Sequence, residues 1–441
     1  MSLQVEIGNR VFPEGNVAVD KRVGARIRAL RRQRGLSQAA LGNPELSNSY
    51  VSLIESGRRA PTPAVLDLLA AKLGCSRSYL LNGVTPEQIT QIEEDLRRAR
   101  RDLEAGQVAE ARDRYAMLLA DDVLDSVPRL RQEVDLGRAA VFRACGAVNE
   151  AIALLIKVRE SDTADLPAER YVEATGLLSQ CHRQRGDLSG AVRVAEQVLT
   201  GDFLWSDELV CLGAELVAAY TERGDLVRGR QLCAELLMTA EGAAPPALGQ
   251  VYRAAALLAA EDGRGDEAIA YIERALALQF DSEEPGQLWR LRSAYVQVLL
   301  TVSPGQIKTR RETLIAWEVE LPESSVPVDA MQYALALVRV EMLLGCLERA
   351  VERIEAILKS EGLPESLHIE AYLLAGLTMA ELGRGQDALR EVAAATERLH
   401  EASASRLTAQ RWLTIAHILE QVGEVARSVG AYQRALASAG V

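Results

Sequence analysis

From Ser47 to Arg59 the chain reads Ser47-Asn48-Ser49-Tyr50-Val51-Ser52-Leu53-Ile54-Glu55-Ser56-Gly57-Arg58-Arg59. Small polar side chains recur through this stretch and two arginines close it, a set suited to reading base edges and neutralising phosphates rather than to making or breaking bonds. A helix turns about 100° per residue, so burying Val51 and Ile54 leaves Ser49, Ser52, Leu53 and Ser56 outward, with Asn48 at the N-terminal end. An asparagine amide can pair with adenine through two hydrogen bonds and a serine hydroxyl can contact bases or phosphates. Leu53 or Tyr50 can meet a thymine methyl. Arg28, Arg58 and Arg59 are the matching phosphate candidates, which would add affinity and salt dependence but no sequence choice.

No comparable set supports catalysis. The chain contains no GxxxxGK[ST] loop, GxSxG elbow or HExxH pair, so neither a nucleotide hydrolase nor a serine or zinc hydrolase is indicated. His182, His368, His400 and His417 lack ligand spacing, and the six cysteines include no CxxC pair. The cysteines read as buried apolar fillers in a reducing compartment, and neither a metal nor a cofactor is expected. No apolar run reaches the length of a membrane span, and no secretory signal opens the chain, so the expectation is a cytoplasmic protein that is not an enzyme and has no membrane partner.

The elements that must position these residues are marked by helix start and stop signals. Helix 1 is expected from about Lys21 to Arg34, with Val23, Ile27 and Leu30 on its apolar stripe and Gly35 ending it. Ser37 can cap helix 2, with Leu36 and Leu41 at the two positions of a hydrophobic staple, and Ser47 repeats the device with Leu46 and Val51. Helix 3 stops at Gly57. Helix 4 opens at Thr62-Pro63 and closes at Gly74, and helix 5 is capped by Ser76. Helices 2 and 3, joined by Gly42-Asn43-Pro44-Glu45, form a helix-turn-helix whose second helix would enter the major groove. The whole chain carries a net charge of −12. Residues 20–82, however, hold eleven Lys/Arg against four Asp/Glu, or +7. Residues 1–19 hold one Arg and two Glu, or −1, which leaves −18 for the remainder. A basic head therefore sits on an acidic body.

Leu36-Ser37-Gln38, Leu41, the Ser47–Arg59 run and Pro61 resemble the phage-repressor (Cro/C1, XRE-type) helix-turn-helix over about 60 residues. The resemblance implies that Gln38 starts helix 2 against the DNA backbone and that Asn48 and Ser49 lead the reading of bases. It also implies that Arg31 pairs with Glu55 inside the domain. The chain departs from that family between Leu41 and Ser47, where it is one residue shorter and has Gly42 in place of a packing alanine. The first nineteen residues alternate weakly, and a short hairpin and a DNA-tracking arm both fit them.

Beyond Gly83 the organisation is a repeat. A glycine followed five residues later by a small residue recurs at Gly106/Ala111, Gly146/Ala151, Gly186/Ala191, Gly224/Gly229, Gly263/Ala268, Gly345/Ala350, Gly383/Ala388 and Gly423/Ser428, with Gly305/Arg310 filling the gap imperfectly. Each glycine would turn the chain between two amphipathic helices, and the small residue would let the second helix lie close to the first. This resembles a lengthened tetratricopeptide repeat. The expected fold is all-α: a five-helix domain over residues 20–83, preceded by an arm at 1–19, and a right-handed α-solenoid of about nine helix pairs over 84–441.

That resemblance places Gln180, Arg183, Gln184, Glu215, Glu222, Gln250, Arg253, Arg292, Tyr295, Gln332, Arg339, Gln410 and His417 on the concave lining, a set suited to the backbone amides or carboxylate of a peptide. Head plus array is similar in architecture to the Gram-positive peptide-pheromone receptor regulators of quorum sensing. Their asparagine ladder has no counterpart here, since Asn149 is the one asparagine beyond Gly83. Expected partners are double-stranded DNA carrying a palindromic operator, a second copy of the chain, and a peptide, small effector or protein in the groove. Two other readings stay open: a scaffold that recruits a protein to DNA without sensing a ligand, and a repeat adaptor that does not touch DNA.

Overall fold

The computed structural model describes residues 5–7, 10–12, 21–121, 123–161, 166–200, 205–278, 285–319, 328–360, 363–400 and 406–439. Val5–Ile7 (β1) and Arg10–Phe12 (β2) pair antiparallel with Val5 opposite Phe12.

The head comprises α1 (Lys21–Gln33), α2 (Gln38–Gly42), α3 (Asn48–Glu55), α4 (Pro63–Lys72) and α5 (Arg77–Asn82). Four starts are capped by the residues that announce them: Ser37, Ser47, Thr62 and Ser76 accept from the backbone N–H groups of Ala40, Tyr50, Val65 and Tyr79. Val23, Ile27, Leu41, Val51, Ile54, Leu69, Leu73 and Leu80 form one buried cluster on which the five helices converge. Gly24 sets how closely α1 crosses α3, because a Cβ there would lie 2.3 Å from the Ile54 carbonyl oxygen. Gly42 is buried, and a Cβ would stand 3.2 Å from Val51 Cγ2. A side chain there would require Val51 to give by a few tenths of an ångström.

Among the described residues the body holds nine helix pairs: α6 (Pro86–Glu104) with α7 (Val108–Leu119), and, after a short α8 (Val123–Ser126), α9 (Pro128–Ala144) with α10 (Val148–Glu160). There follow α11 (Ala168–Gln184) with α12 (Leu188–Glu196), α13 (Asp207–Arg223) with α14 (Leu226–Thr239), and α15 (Pro245–Glu261) with α16 (Gly265–Leu278). The last four are α17 (Pro285–Val302) with α18 (Ile307–Val319), α19 (Val328–Leu343) with α20 (Leu347–Leu358), α21 (Glu365–Glu381) with α22 (Gly385–Leu399), and α23 (Arg406–Gln421) with α24 (Val425–Ala439). In eight pairs the turn glycine has φ between +72° and +86°, the left-handed region that makes glycine the fitting residue. The small residue that follows is buried in each.

The sixth pair is built differently. Gly305 lies in a 3-10 turn, Pro304–Gln306, without positive φ, and Arg310 is half-exposed, 3.0 Å from Glu273. Aromatics replace the glycine-and-small-residue device. The Arg292 guanidinium of α17 lies 4.8 Å from the Trp289 ring and 5.2 Å from that of Trp317 on α18, and Trp317 meets Tyr295 edge-on.

The superhelix also touches itself. Arg406, at the start of α23, donates to the Thr221 carbonyl at the end of α13 (3.4 Å) and lies 3.2 Å from Glu261 at the end of α15. Arg290 and Asp329, from the sixth and seventh pairs, border a cavity of about 310 Å³ together with Arg100, Arg143 and Glu173 from the first three.

Candidate nucleic-acid interface

Helix α3 buries Val51, Ile54 and Glu55. On its other face Asn48, Ser49, Ser52 and Ser56 are exposed, with Leu53 between them at 37% exposure. Arg28, Arg58 and Arg59 are exposed on the same domain. Tyr50 is half-buried, and the Arg59 guanidinium lies 4.9 Å from its ring centroid. This contact spans the Gly57 turn and has no signature at the level of residue spacing. It fixes Arg59 beside α3.

The interior of the unit is held by a three-membered polar network. Arg31 Nε donates to Glu55 Oε1 at 2.5 Å and its NH2 to Oε2 at 3.0 Å, while NH1 reaches the Leu36 carbonyl at 2.7 Å. Gln38 Nε2 donates to Glu55 Oε2 at 2.8 Å. Burial pushes the Glu55 carboxyl up, but the hydrogen bonds from Arg31 and Gln38 and the charges of Arg31 and Arg28 outweigh it and hold the group below the usual carboxylate range. Gln38 therefore starts α2 with one amide hydrogen committed inward, and of its remaining groups only the second N–H could donate to a phosphate oxygen. On the opposite side of the turn Lys72 Nζ donates to the Asn43 carbonyl at 2.7 Å and to Glu45 at 2.5 Å. Arg26 donates to the Leu80 and Leu81 carbonyls at the end of α5, satisfying acceptors that the helix itself leaves open. Neither Lys72 nor Arg26 stands out in the sequence, because both act across distant positions.

Residues 27–80 match the helix-turn-helix family. This segment is a helix-turn-helix of the XRE type. The Rap protein complexed with Competence and Sporulation Factor is similar at 12% identity over 79% of this chain and 98% of that one, with a TM-score of 0.52. PlcR of Bacillus thuringiensis, in complex with the peptide PapR7 and DNA, is 16% identical over 77% of this chain and all of that one, with a TM-score of 0.31. Apo ComR of Streptococcus vestibularis is 15% identical over 63% and 98%, with a TM-score of 0.33. No curated protein sequence matches the chain. The likeness to Rap is one of fold, and together with the helix pairs it makes the body that follows the helix-turn-helix segment a tetratricopeptide-like array.

The expected groove residues divide. Gln180, Arg183, Gln184, Gln250, Arg253 and Gln332 are half-buried, Glu215 is buried, and Glu222, Arg339, Gln410 and His417 are exposed. The Arg183 guanidinium holds both Glu215 and Glu222, tying α11 to α13. Arg339 pairs with Glu370 at 3.0 Å, and His417 Nε2 lies 3.1 Å from the Gln421 amide. Arg292 and Tyr295 leave the lining altogether: at 5% and 2% exposure they belong to the aromatic packing of the sixth pair. Their displacement follows from the missing glycine turn, whose place the Trp289–Arg292–Trp317 stack takes. Among the described residues no group of three or more His, Cys, Asp or Glu is placed to hold a metal ion, and no helix is long and apolar enough to cross a membrane.

Proposed function

We propose that the chain is a sequence-specific transcriptional regulator, with residues 1–19 an arm, 20–83 the DNA-binding domain and 84–441 an effector domain. The effector domain binds a peptide, a small effector or a protein partner in its groove and brings two copies together on a palindromic operator. The observation that carries this reading is the exposed polar face of α3, with Asn48, Ser49 and Ser52 outward and Arg28, Arg58 and Arg59 around it, on a segment that matches the helix-turn-helix family. A lone head covers only a short site, so two heads on half-sites about one helical turn apart supply the specificity that a genome demands.

The test is selection of bound sequences from a random DNA pool by the full chain, followed by footprinting of the winners. A two-fold-related pair of protected half-sites is expected. An Asn48→Ala, Ser49→Ala double variant should lose about 1–3 kcal/mol of discrimination at its contacted base pair while keeping salt-dependent non-specific affinity. If no sequence is enriched, or the variant selects the same motif with equal affinity, the base-reading role fails.

A further inference from the structure

Most of the charge inside the superhelix is internally matched. Arg183 takes Glu215 and Glu222, and Arg290 lies 3.5 Å from Asp329. Arg253, midway along α15, is half-buried in the reach of these same groups and makes no hydrogen bond, ion pair or ring contact with any described residue. Burial and the charges of Arg183 and Arg290 depress its pKa to about 10, against the pull of Glu215 and Glu222. No contact with a described residue calls for a guanidinium there, and a leucine or methionine could fill the same space. The position lies among the first helices of the third to sixth pairs, with Gln250 one turn earlier on the same helix, and Gln184 on α11 carries a buried amide oxygen that has no partner.

We infer that Arg253 is the seat of an oxyanion, a carboxylate or a phosphate group, carried by the ligand of the repeat groove; the assignment rests on the groove-binding reading above. A guanidinium presents paired N–H donors in a plane that matches both groups. Glu215 and Glu222, already spent on Arg183, would repel a polyanion such as a nucleic-acid backbone, so the fitting ligand has one anionic group on an otherwise neutral body.

The experiment compares the full chain with its Arg253→Met variant by thermal unfolding in chloride, acetate and inorganic phosphate at matched ionic strength. Without a ligand anchor to lose, the variant should unfold at a temperature equal to or about 1–3 °C above that of the parent. Acetate or phosphate should raise the midpoint of the parent and leave that of the variant unmoved, and whichever of the two acts more strongly identifies the class of anion. A fall in the variant's midpoint in chloride would make Arg253 a structural residue. An equal response of the two proteins to both anions, including no response in either, would also overturn the assignment. Operator selection with both proteins separates the two levels: loss of DNA binding in the parent defeats the regulatory reading and leaves the anion result standing by itself.

Discussion

Glu55 has both carboxylate oxygens engaged, one by Arg31 and the other by Arg31 and Gln38, in the crook between α1, α2 and α3. Removing it strands Arg31, whose side chain is only 11% exposed. Breaking a buried pair from one side leaves an uncompensated charge, so Glu55→Ala should destabilise the head by about 3 kcal/mol and tilt the helix that carries Asn48. Hydrogen exchange of the α3 amides reads this directly, and unchanged protection would refute it. The same network sets an acid limit. A carboxyl held below its unfolded value of 4.5 stabilises fully above that value, and the contribution fades as pH falls from 4.5 through the folded pKa. Protection of α3 should therefore be flat from neutral pH to about 5 and decline below it, a dependence that Glu55→Gln abolishes. At this scale the sequence was most informative where caps and outward polar positions obey local geometry, as at Ser47 and Ser49. It was silent on Arg59 over Tyr50, on Arg26 at the end of α5 and on the isolation of Arg253, since those depend on which residues fold back onto one another.

Among elements, the crossing of α1 over α3 is set by one small residue, and the turn of the third helix pair is held by an aspartate and a histidine. At Gly24 a methyl carbon would sit 2.3 Å from the Ile54 carbonyl oxygen, well inside van der Waals contact distance. Gly24→Ala should cost roughly 1–3 kcal/mol by overpacking and push α3 out of register with the groove, so operator affinity falls although no DNA-facing residue has changed. Circular dichroism melts paired with operator binding will show the two losses together; a variant of native stability and affinity would contradict the crossing argument. In the third pair Asp187 accepts from the Gly190 N–H at the start of α12 and meets His182 Nδ1 at 2.9 Å. Burial, joined by the charges of Arg185 and Arg193, lowers the His182 pKa more than the charge and hydrogen bond of Asp187 raise it. The imidazole is thus favoured neutral in the fold. Stability is complete above the unfolded value of 6.5 and is lost as pH drops through the lower folded value. Amide exchange across α11 and α12 should accelerate as pH falls below about 6.5, and His182→Gln should remove the step. The eight glycine turns were legible because a left-handed turn demands glycine. The sixth pair was not, because Trp289, Arg292 and Trp317 do the same work through side chains lying 25 positions or more apart at the extremes.

For the whole molecule, stacked helix pairs alone would make an array whose stability is a sum of neighbour contacts, with curvature free to open and close. Arg406 breaks that one-dimensional logic by linking the ninth pair to the ends of α13 and α15, close to Glu222 and on the same helix as Arg253. With 40% and 38% of the Arg406 and Glu261 side chains exposed, the ion pair is screened and contributes on the order of 0–1 kcal/mol. Its leverage is geometric: it acts at the far end of a long lever, so a small local energy sets a large separation. Arg406→Ala should leave the unfolding midpoint nearly unchanged while the radius of gyration of the chain rises, and raised salt should produce the same expansion in the parent but little in the variant. Small-angle scattering across a salt series tests this. Expansion of both proteins to the same extent with salt would show that the curvature comes from neighbour packing alone. A parent that resists salt as well as its variant does would show that the crossing contact carries no load.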